Sequence, residues 1–192
     1  MPSRYDDELW ALVPDEPGPP PAHLAAWVRG LAPVGRALDL GCGDGRLSVA
    51  VPAGELLLAD VSDLALARAA RRLPDARTVA LAPDAPLPLE DGAVELVLCA
   101  ETLEHVRDVQ GLLSECRRVL EPRGVLAVST PAHGRATALR AAAAGFERVS
   151  DPLSPHLRFL SARSLAGLLD DAGFDVAALR RERGSLLATA VR

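Results

Sequence analysis

Short apolar runs alternate with longer amphipathic stretches along most of this 192-residue chain, and that alternation restricts the fold more than any other feature. Runs such as 56–59 and 94–99 are apolar on both faces, which is typical of strands buried between two layers. Stretches such as 108–120 carry apolar residues at helical spacing. Strands that alternate with helices predict a parallel sheet covered on both sides, so we predict a doubly wound α/β fold.

The alternation predicts the position of each strand and helix. Strands are predicted at 36–40, 56–59, 78–81, 94–99, 124–129, 174–179 and 185–191. Helices are predicted at 23–31, 46–51, 64–73, 108–120 and 161–172, with Ser62 or Asp63 as the N-cap of the third. Only a tight turn separates the last two strands, so we expect them to pair antiparallel. The sheet is then seven-stranded and mostly parallel, with an antiparallel edge strand.

The length fits one domain of ordinary size. The proline-rich stretch 14–21 reads as a stiff connector that separates a short leader from the rest. We therefore divide the chain into a leader and connector, 1–21, and a domain, 22–192. Apolar residues in the leader could cover an apolar surface, either as a loosely docked terminus or as a lid over a substrate: Leu9, Trp10, Leu12 and Val13.

Charge and composition exclude several classes of protein. The formal net charge is −5, with 26 acidic against 21 basic residues, which argues against a protein whose main task is to grip a phosphate backbone. The three cysteines are too few and too irregularly spaced for a disulfide framework or a zinc ribbon.

No signal peptide or bilayer-spanning run is visible, so we expect a soluble, cytoplasmic protein. All the basic residues are arginine, and Lys, Ile and Asn are absent, which indicates a GC-rich, bacterial genome. The sequence leaves open whether the chain forms a homodimer.

A glycine-rich loop follows the first predicted strand. In sheets of this kind, ligands bind at the carboxyl ends of the strands. Gly41, Gly43 and Gly45 allow a sharp turn and a close approach of backbone to ligand. The dinucleotide-binding pattern G-x-G-x-x-G would need a glycine where Arg46 stands, so the loop suits a pyrophosphate less well.

The run LDLGCGDGRLS resembles the first motif of the class I S-adenosylmethionine-dependent methyltransferases, and the resemblance covers about residues 22–192. It implies a Rossmann-like fold and S-adenosyl-L-methionine as cofactor. Asp39 and the glycine loop, with Cys42, would then surround the methionine end of the cofactor. An acidic side chain at the end of the second strand, Asp60, can accept both ribose hydroxyls.

The same resemblance implies contacts for the adenine. Val61 would lie against the ring, while Asp84 and Ala85 resemble the family's GDA motif and would meet the adenine edge. Ala100, at the end of the fourth strand, completes the predicted cofactor site. This sequence has Pro83 where the family's motif has glycine.

A cluster of ionisable residues follows the fourth strand. If 101–105 forms a helical turn, Glu101, Glu104 and His105 share one face of it. Two carboxylates and an imidazole at this spacing can hold a divalent metal or orient a general base. The alternative is that the glutamates are solvated charges at a helix start and that His105 packs.

The cluster carries a second resemblance. E-x-x-E-H recurs in ubiquinone-biosynthesis O-methyltransferases, where it is linked to magnesium, and in small-RNA 3′-terminal 2′-O-methyltransferases, where a further histidine completes a metal site. His156 matches that histidine best, and His133 could contact the substrate. The predicted metal ligands are Glu101, Glu104, His105 and His156, and the predicted catalytic residues are His105, Glu101, His133 and His156. The set would suit Mg, Mn, Fe, Co or Zn.

Together these observations predict an S-adenosylmethionine-dependent methyltransferase acting on a hydroxyl of a small molecule, with a base or a metal activating the acceptor. Segment 131–160 and the leader are expected to recognise that acceptor. One alternative is a metal-dependent RNA 3′-terminal 2′-O-methyltransferase, in which arginines hold phosphates: Arg135, Arg140, Arg148, Arg158 and Arg163. The others are a small-molecule N-methyltransferase, a nicotinamide-dependent oxidoreductase, which the missing third glycine disfavours, and a catalytically silent cofactor-binding subunit.

Overall fold

The structure, a computed structural model, describes residues 4–145 and 156–192. Within these residues the strands are β1 (Val34–Leu40), β2 (Ala53–Asp60), β3 (Arg77–Ala80), β4 (Val94–Ala100), β5 (Leu120–Pro131), β6 (Asp175–Glu182) and β7 (Ser185–Val191). The helices are α1 (Arg4–Ala11), α2 (Ala22–Arg29), α3 (Asp63–Arg72), α4 (Val109–Val119), α5 (Arg135–Ala144) and α6 (Ala162–Asp171).

The strands form one sheet in the order β3-β2-β1-β4-β5-β7-β6. Neighbours from β3 through β5 are parallel, whereas β7 runs antiparallel to both β5 and β6. The predicted fold class is thereby confirmed. The chain leaves β1 toward β2 and later returns to β1's other side as β4, so the switch in strand order lies between β1 and β4. Ligand crevices in such sheets open at that point.

Two apolar layers cover the sheet. One contains Leu113 and Leu165 from helices α4 and α6, and the other contains Trp27 and Val28 from α2. Phe174 is the large aromatic of the first layer, and the remaining buried volume is filled mainly by Leu, Val and Ala. Ser62 caps α3 as predicted, with its hydroxyl accepting the Ala65 N–H at 3.1 Å.

The predicted helix at 46–51 is wrong, because this stretch forms only a single 3-10 turn, Ser48–Ala50. Gly45, with φ +76°, takes the chain out of the right-handed helical region just before this stretch, and Pro52 ends it. Helix α5, by contrast, was not predicted and lies inside the segment expected to recognise the acceptor. Residues 146–155 of that segment, Arg148 included, lie outside the described residues.

The leader forms helix α1, which packs against α3. Trp10 is half-buried there, but Leu12 is 82% exposed, so the expectation that Leu12 covers an apolar surface is wrong. A bilayer-spanning helix would have to be long and apolar, and the described residues contain none.

Candidate cofactor and active site

The glycine loop turns through backbone conformations that other residues rarely adopt. Gly41 and Gly43 have φ of +74° and +55°. A Cβ on Gly41 would lie 2.5 Å from Oγ1 of Thr102, and a Cβ on Gly43 would lie 2.6 Å from the ring of Trp10. Both positions therefore require glycine, for the backbone angle and for space.

Asp60 holds the loop in place through its carboxylate. Oδ2 accepts the Gly43 N–H at 2.8 Å, and Oδ1 accepts the Ser62 N–H at 2.9 Å. Burial raises the pKa of Asp60, and these two N–H groups act in the opposite direction. Each carboxylate oxygen keeps a further lone pair, so the grip on the backbone leaves Asp60 able to accept from a ligand hydroxyl as well.

Asp39 lies beneath the loop rather than on its surface. Its carboxylate is 3% exposed and accepts the Ser48 hydroxyl at 2.6 Å. Burial raises its pKa to about 7, the Ser48 hydrogen bond opposes that shift, and the negative Asp60 adds to it. A carboxyl group in this state gains or loses a proton near neutral pH.

A cavity of about 980 Å³ opens over the loop, at the upper end of the volumes typical of small-molecule sites. Of the predicted cofactor residues, the cavity is lined by Gly41, Gly43, Asp60, Val61, Asp84 and Ala85. Four others are not among its lining residues: Asp39, Cys42, Gly45 and Ala100. A Cβ on Gly45 would lie 3.3 Å from Ala69 of α3, so that glycine permits packing of the loop rather than contact with a ligand.

The predicted adenine end carries an ion pair that the sequence did not indicate. Asp84 accepts a hydrogen bond from the guanidinium of Arg107, and both residues line the cavity. Asp84 has φ +58°, an uncommon backbone angle for a residue other than glycine. The pair bridges the segment after β3 and the segment after β4.

The prediction of a shared helical face for Glu101, Glu104 and His105 is wrong for Glu101. Its φ is +52°, so it cannot begin a right-handed helical turn, and the turn covers only 103–105. Its carboxylate accepts the Ser129 hydroxyl at 2.8 Å. Glu101 nevertheless lines the cavity, as does His105.

The structure brings the other three predicted metal ligands together. One ligand atom from each of Glu104, His105 and His156 lies within 4.8 Å of the others. The rings of His105 and His156 meet edge to face, with centroids 4.8 Å apart. Glu104 is 1% exposed, and its Oε2 has no hydrogen-bond partner among the described residues. Burial raises the pKa of Glu104 to about 7.

Two further buried polar groups lie at the end of β5 and just beyond it. The Thr130 hydroxyl and both ring nitrogens of His133 are buried without a hydrogen-bond partner among the described residues. The His133 ring packs edge to face on Phe159, with centroids 4.9 Å apart. Burial lowers the pKa of His133, and the nearby His156 and Arg181 lower it further. Unsatisfied buried polar groups are uncommon in folded proteins and call for a ligand or a function.

The pairing of Glu104 with His156 joins segments far apart in sequence. The Leu157 N–H donates to the Glu104 carbonyl at 2.7 Å. The Arg158 guanidinium donates to the carbonyls of Val106 and Arg107. These backbone contacts hold the His156 segment against the turn after β4.

Helix α1 also lines the cavity, through Tyr5, Asp6, Leu9 and Trp10. The sequence had pointed to Leu9 and Trp10 as residues that cover an apolar surface, and it gave no individual role to Tyr5 or Asp6. The signal in the sequence was the adjacent pair Leu9 and Trp10, because large apolar side chains in a leader indicate that it packs on another surface. The pattern could not show which surface they would meet.

Comparison with known proteins indicates the family to which the chain is related. A family model described as "Methyltransferase domain" matches residues 38–128. The chain is 31% identical to a ubiquinone biosynthesis O-methyltransferase of Ralstonia nicotianae, over 80% of this chain and 69% of that protein. It is 36% identical to a "probable S-adenosylmethionine-dependent methyltransferase" of Mycobacterium tuberculosis, over 73% of this chain and 49% of that protein. A solved S-adenosylmethionine-dependent methyltransferase from Mesorhizobium loti superposes with a TM-score of 0.67 at 21% identity, over 88% of this chain and 96% of that one.

The fold, the glycine loop and these relatives agree on one family. This chain belongs to the class I S-adenosylmethionine-dependent methyltransferases, the family whose cofactor is S-adenosylmethionine. It spans about half the length of the mycobacterial relatives it matches.

Proposed function

We propose that this chain transfers the methyl group of S-adenosylmethionine to a hydroxyl of a small molecule. Methyl transfer from a sulfonium is an in-line displacement with a good leaving group already in the cofactor. The protein has to align the acceptor oxygen and receive its proton. The observation that carries the proposal is the group formed by Glu104, His105 and His156, since it gathers proton-accepting side chains just beyond β4 and its member His105 lines the cavity.

The buried carboxylate explains why an oxygen acceptor suits the site. Glu104 has an unpaired oxygen in a nearly solvent-free environment. A hydroxyl group has one proton to donate, so it can satisfy that oxygen and give its proton to the Glu104 carboxylate as the methyl group arrives. An amine acceptor often needs no such base. The ubiquinone biosynthesis relative is named as an O-methyltransferase, which supports the same choice.

The donor set also fits a divalent metal. One carboxylate and two imidazoles suit Mn, Fe, Co or Zn, whereas Mg prefers a shell of oxygens. Glu104, His105 and His156 would hold the ion, and Glu101 lies outside this group. A bound metal would lower the pKa of the acceptor hydroxyl and fix its position.

His133 offers a metal-free route. Its lowered pKa keeps the imidazole neutral at physiological pH, the form that accepts a proton. The exposed Phe159, on which the ring packs, gives an acceptor an apolar surface beside that base.

An acceptor panel tests the proposed reaction. Wild-type chain is mixed with S-adenosylmethionine and with catechol-like, ribose-diol or amine acceptors, and S-adenosylhomocysteine formation is measured. We expect turnover with hydroxyl acceptors and little with amines. Turnover confined to amines would contradict the proposal, and turnover confined to RNA 3′ ends would favour the RNA alternative.

Elemental analysis then separates the two routes. The chain is incubated with S-adenosylhomocysteine and with Mg, Mn, Fe, Co or Zn singly, and then desalted. A metal site predicts near-stoichiometric metal that Glu104→Gln removes and Glu101→Gln, its matched control, retains. If no metal is retained, His133→Gln should lower turnover more than Glu104→Gln does.

A further inference from the structure

Helices α1 and α3 cap each other's ends. Asp7 of α1 lies at the start of α3, where its Oδ1 accepts the Ser62 hydroxyl at 2.6 Å and the Leu64 N–H at 3.1 Å. These two hydrogen bonds lower the pKa of Asp7, which keeps it charged at the positive end of α3.

Arg68 of α3 makes the reciprocal contact. Its guanidinium donates to the carbonyls of Trp10 at 3.1 Å and Val13 at 3.0 Å, at the negative end of α1. It also forms an ion pair with Asp15 at 2.7 Å. Arg68 is only 7% exposed, which is uncommon for an arginine, and every partner just named belongs to the leader.

The element held in this way is one wall of the cofactor cavity. Tyr5, Asp6, Leu9 and Trp10 all line it, and the ring of Trp10 lies directly over Gly43. The other contacts of α1 lead to the same place. Ser62, whose hydroxyl donates to Asp7, donates its N–H to Asp60, which in turn holds the Gly43 N–H. Docking of α1 and the shape of the glycine loop are thus joined by a continuous chain of hydrogen bonds.

We propose that α1 is a strap over the bound cofactor and that Arg68 is its positioning residue, so that docking of the leader sets how fast the cofactor product leaves. A ligand that touches α1 only in the docked state favours docking, and by linkage a weakened dock lowers the ligand's affinity. The proposal rests on S-adenosylmethionine as the cofactor and not on a hydroxyl acceptor.

The test uses S-adenosylhomocysteine as the probe, with the full chain. Its dissociation rate is measured by stopped-flow fluorescence in wild type, Arg68→Gln and Arg68→Lys. Amide exchange of residues 4–11 is followed in parallel with and without the ligand. We expect ligand to slow exchange in α1, and Arg68→Gln to raise the dissociation rate about tenfold, as expected for losing hydrogen bonds to a charged group. Arg68→Lys should recover part of the effect, because it keeps the charge.

Arg71→Gln, an exposed arginine on the same helix, is the matched control and should leave the dissociation rate within about twofold. Asp7→Ala tests the other end of the strap without disturbing the buried arginine, and it carries the test if Arg68→Gln fails to fold. A folded Arg68→Gln or Asp7→Ala chain with wild-type dissociation would overturn the proposal. So would exchange in α1 that the ligand leaves unchanged, or a wild-type chain that does not bind the ligand. Failure of every hydroxyl acceptor, with these results intact, would contradict the proposed reaction alone.

Discussion

The proposed cofactor side and the proposed acceptor side of this site are built in different ways. On the cofactor side, the geometry is carried by backbone: left-handed glycines, and a carboxylate that accepts two main-chain N–H groups. On the acceptor side, it is carried by side chains, and several of their buried polar atoms have no partner among the described residues. The first arrangement has its hydrogen bonds already formed, whereas the second leaves buried polar atoms without partners among the described residues. Substitutions on the cofactor side should therefore act on cofactor affinity, and those on the acceptor side should act on turnover.

The largest effect on cofactor affinity is expected from Gly41→Ala. The new Cβ would collide with Thr102 and force a left-handed angle on alanine. Strain and overpacking of about 3 kcal/mol predict at least a roughly 100-fold weaker Kd for S-adenosylhomocysteine, measured by calorimetry. Gly167→Ala in α6 is the control, since its Cβ meets nothing within 4 Å. A near wild-type Kd for Gly41→Ala would show that the loop is not the cofactor cradle.

A smaller loss is expected from Asp60→Asn. An amide presents one oxygen and one NH₂ group, so it cannot accept both the Gly43 and the Ser62 N–H. We expect about a 30-fold rise in Kd, the size of a lost charged hydrogen bond. Asp63→Asn, an exposed carboxylate three residues on, should change the Kd by less than about twofold. Equal effects of the two substitutions on the Kd would show that the hydrogen bonds of Asp60 to the loop are not needed for cofactor binding.

The pH dependence of cofactor binding tests Asp39. Its pKa is raised to about 7, so the carboxyl is protonated below that pH and negatively charged above it. If the negative form attracts the ammonium of the cofactor's methionine end from beneath the loop, affinity for S-adenosylhomocysteine should rise about tenfold from pH 6 to pH 8. Asp39→Asn should flatten that rise.

The same group makes a prediction for stability, with the sign opposite to that of an ion-paired carboxylate. The folded chain retains a proton on Asp39 that the unfolded chain, with a pKa of 3.8, releases. Its contribution to the free energy of unfolding therefore falls between about pH 4 and pH 7 and is flat above that range. Urea unfolding of wild type and Asp39→Asn across this range measures the difference. A constant difference would contradict the raised pKa.

The smallest effect is expected at the bridge between Arg107 and Asp84. The side chains are 70% and 45% exposed, and exposed ion pairs contribute little. Arg107→Ala frees the Asp84 carboxylate for an adenine amino group, so S-adenosylhomocysteine should bind up to about threefold more tightly. Asp84→Ala should bind it more weakly. If both substitutions weaken binding equally, the ion pair itself, rather than a free Asp84 carboxylate, supports cofactor binding.

On the proposed cofactor side, the glycine turn and the acidic residue beside it could largely be predicted from sequence. The glycine spacing at 41–45 and the acidic residue closing β2 are local signals, because the backbone conformation they need depends on few residues. The central strands of the sheet were equally predictable, since they contain short runs that are apolar on both faces. The predicted helix at 46–51 was wrong because an amphipathic pattern does not show the backbone conformation that Gly45 and Pro52 impose on either side of it.

The acceptor side was less predictable, for a physical reason. Whether Glu101 faces Glu104 depends on one backbone angle, and whether His156 reaches Glu104 depends on contacts across 52 positions, such as the hydrogen bonds of Arg158. The contacts of α1 likewise include those of Arg68, which in the sequence resembles the other arginines on its helix. Tertiary contacts of this kind leave no periodic signal.

The most direct measurement compares turnover and cofactor affinity in a single variant, Glu104→Gln. The substitution keeps the shape of the side chain and removes its charge and its proton-accepting capacity. We predict at least a roughly 100-fold loss of methyl transfer to the best hydroxyl acceptor, the size expected for a missing catalytic base or ligand, with the Kd for S-adenosylhomocysteine within about twofold of wild type. Transfer at the wild-type rate, or a loss that the Kd alone accounts for, would contradict the assignment of the chemistry to Glu104 and its two histidines.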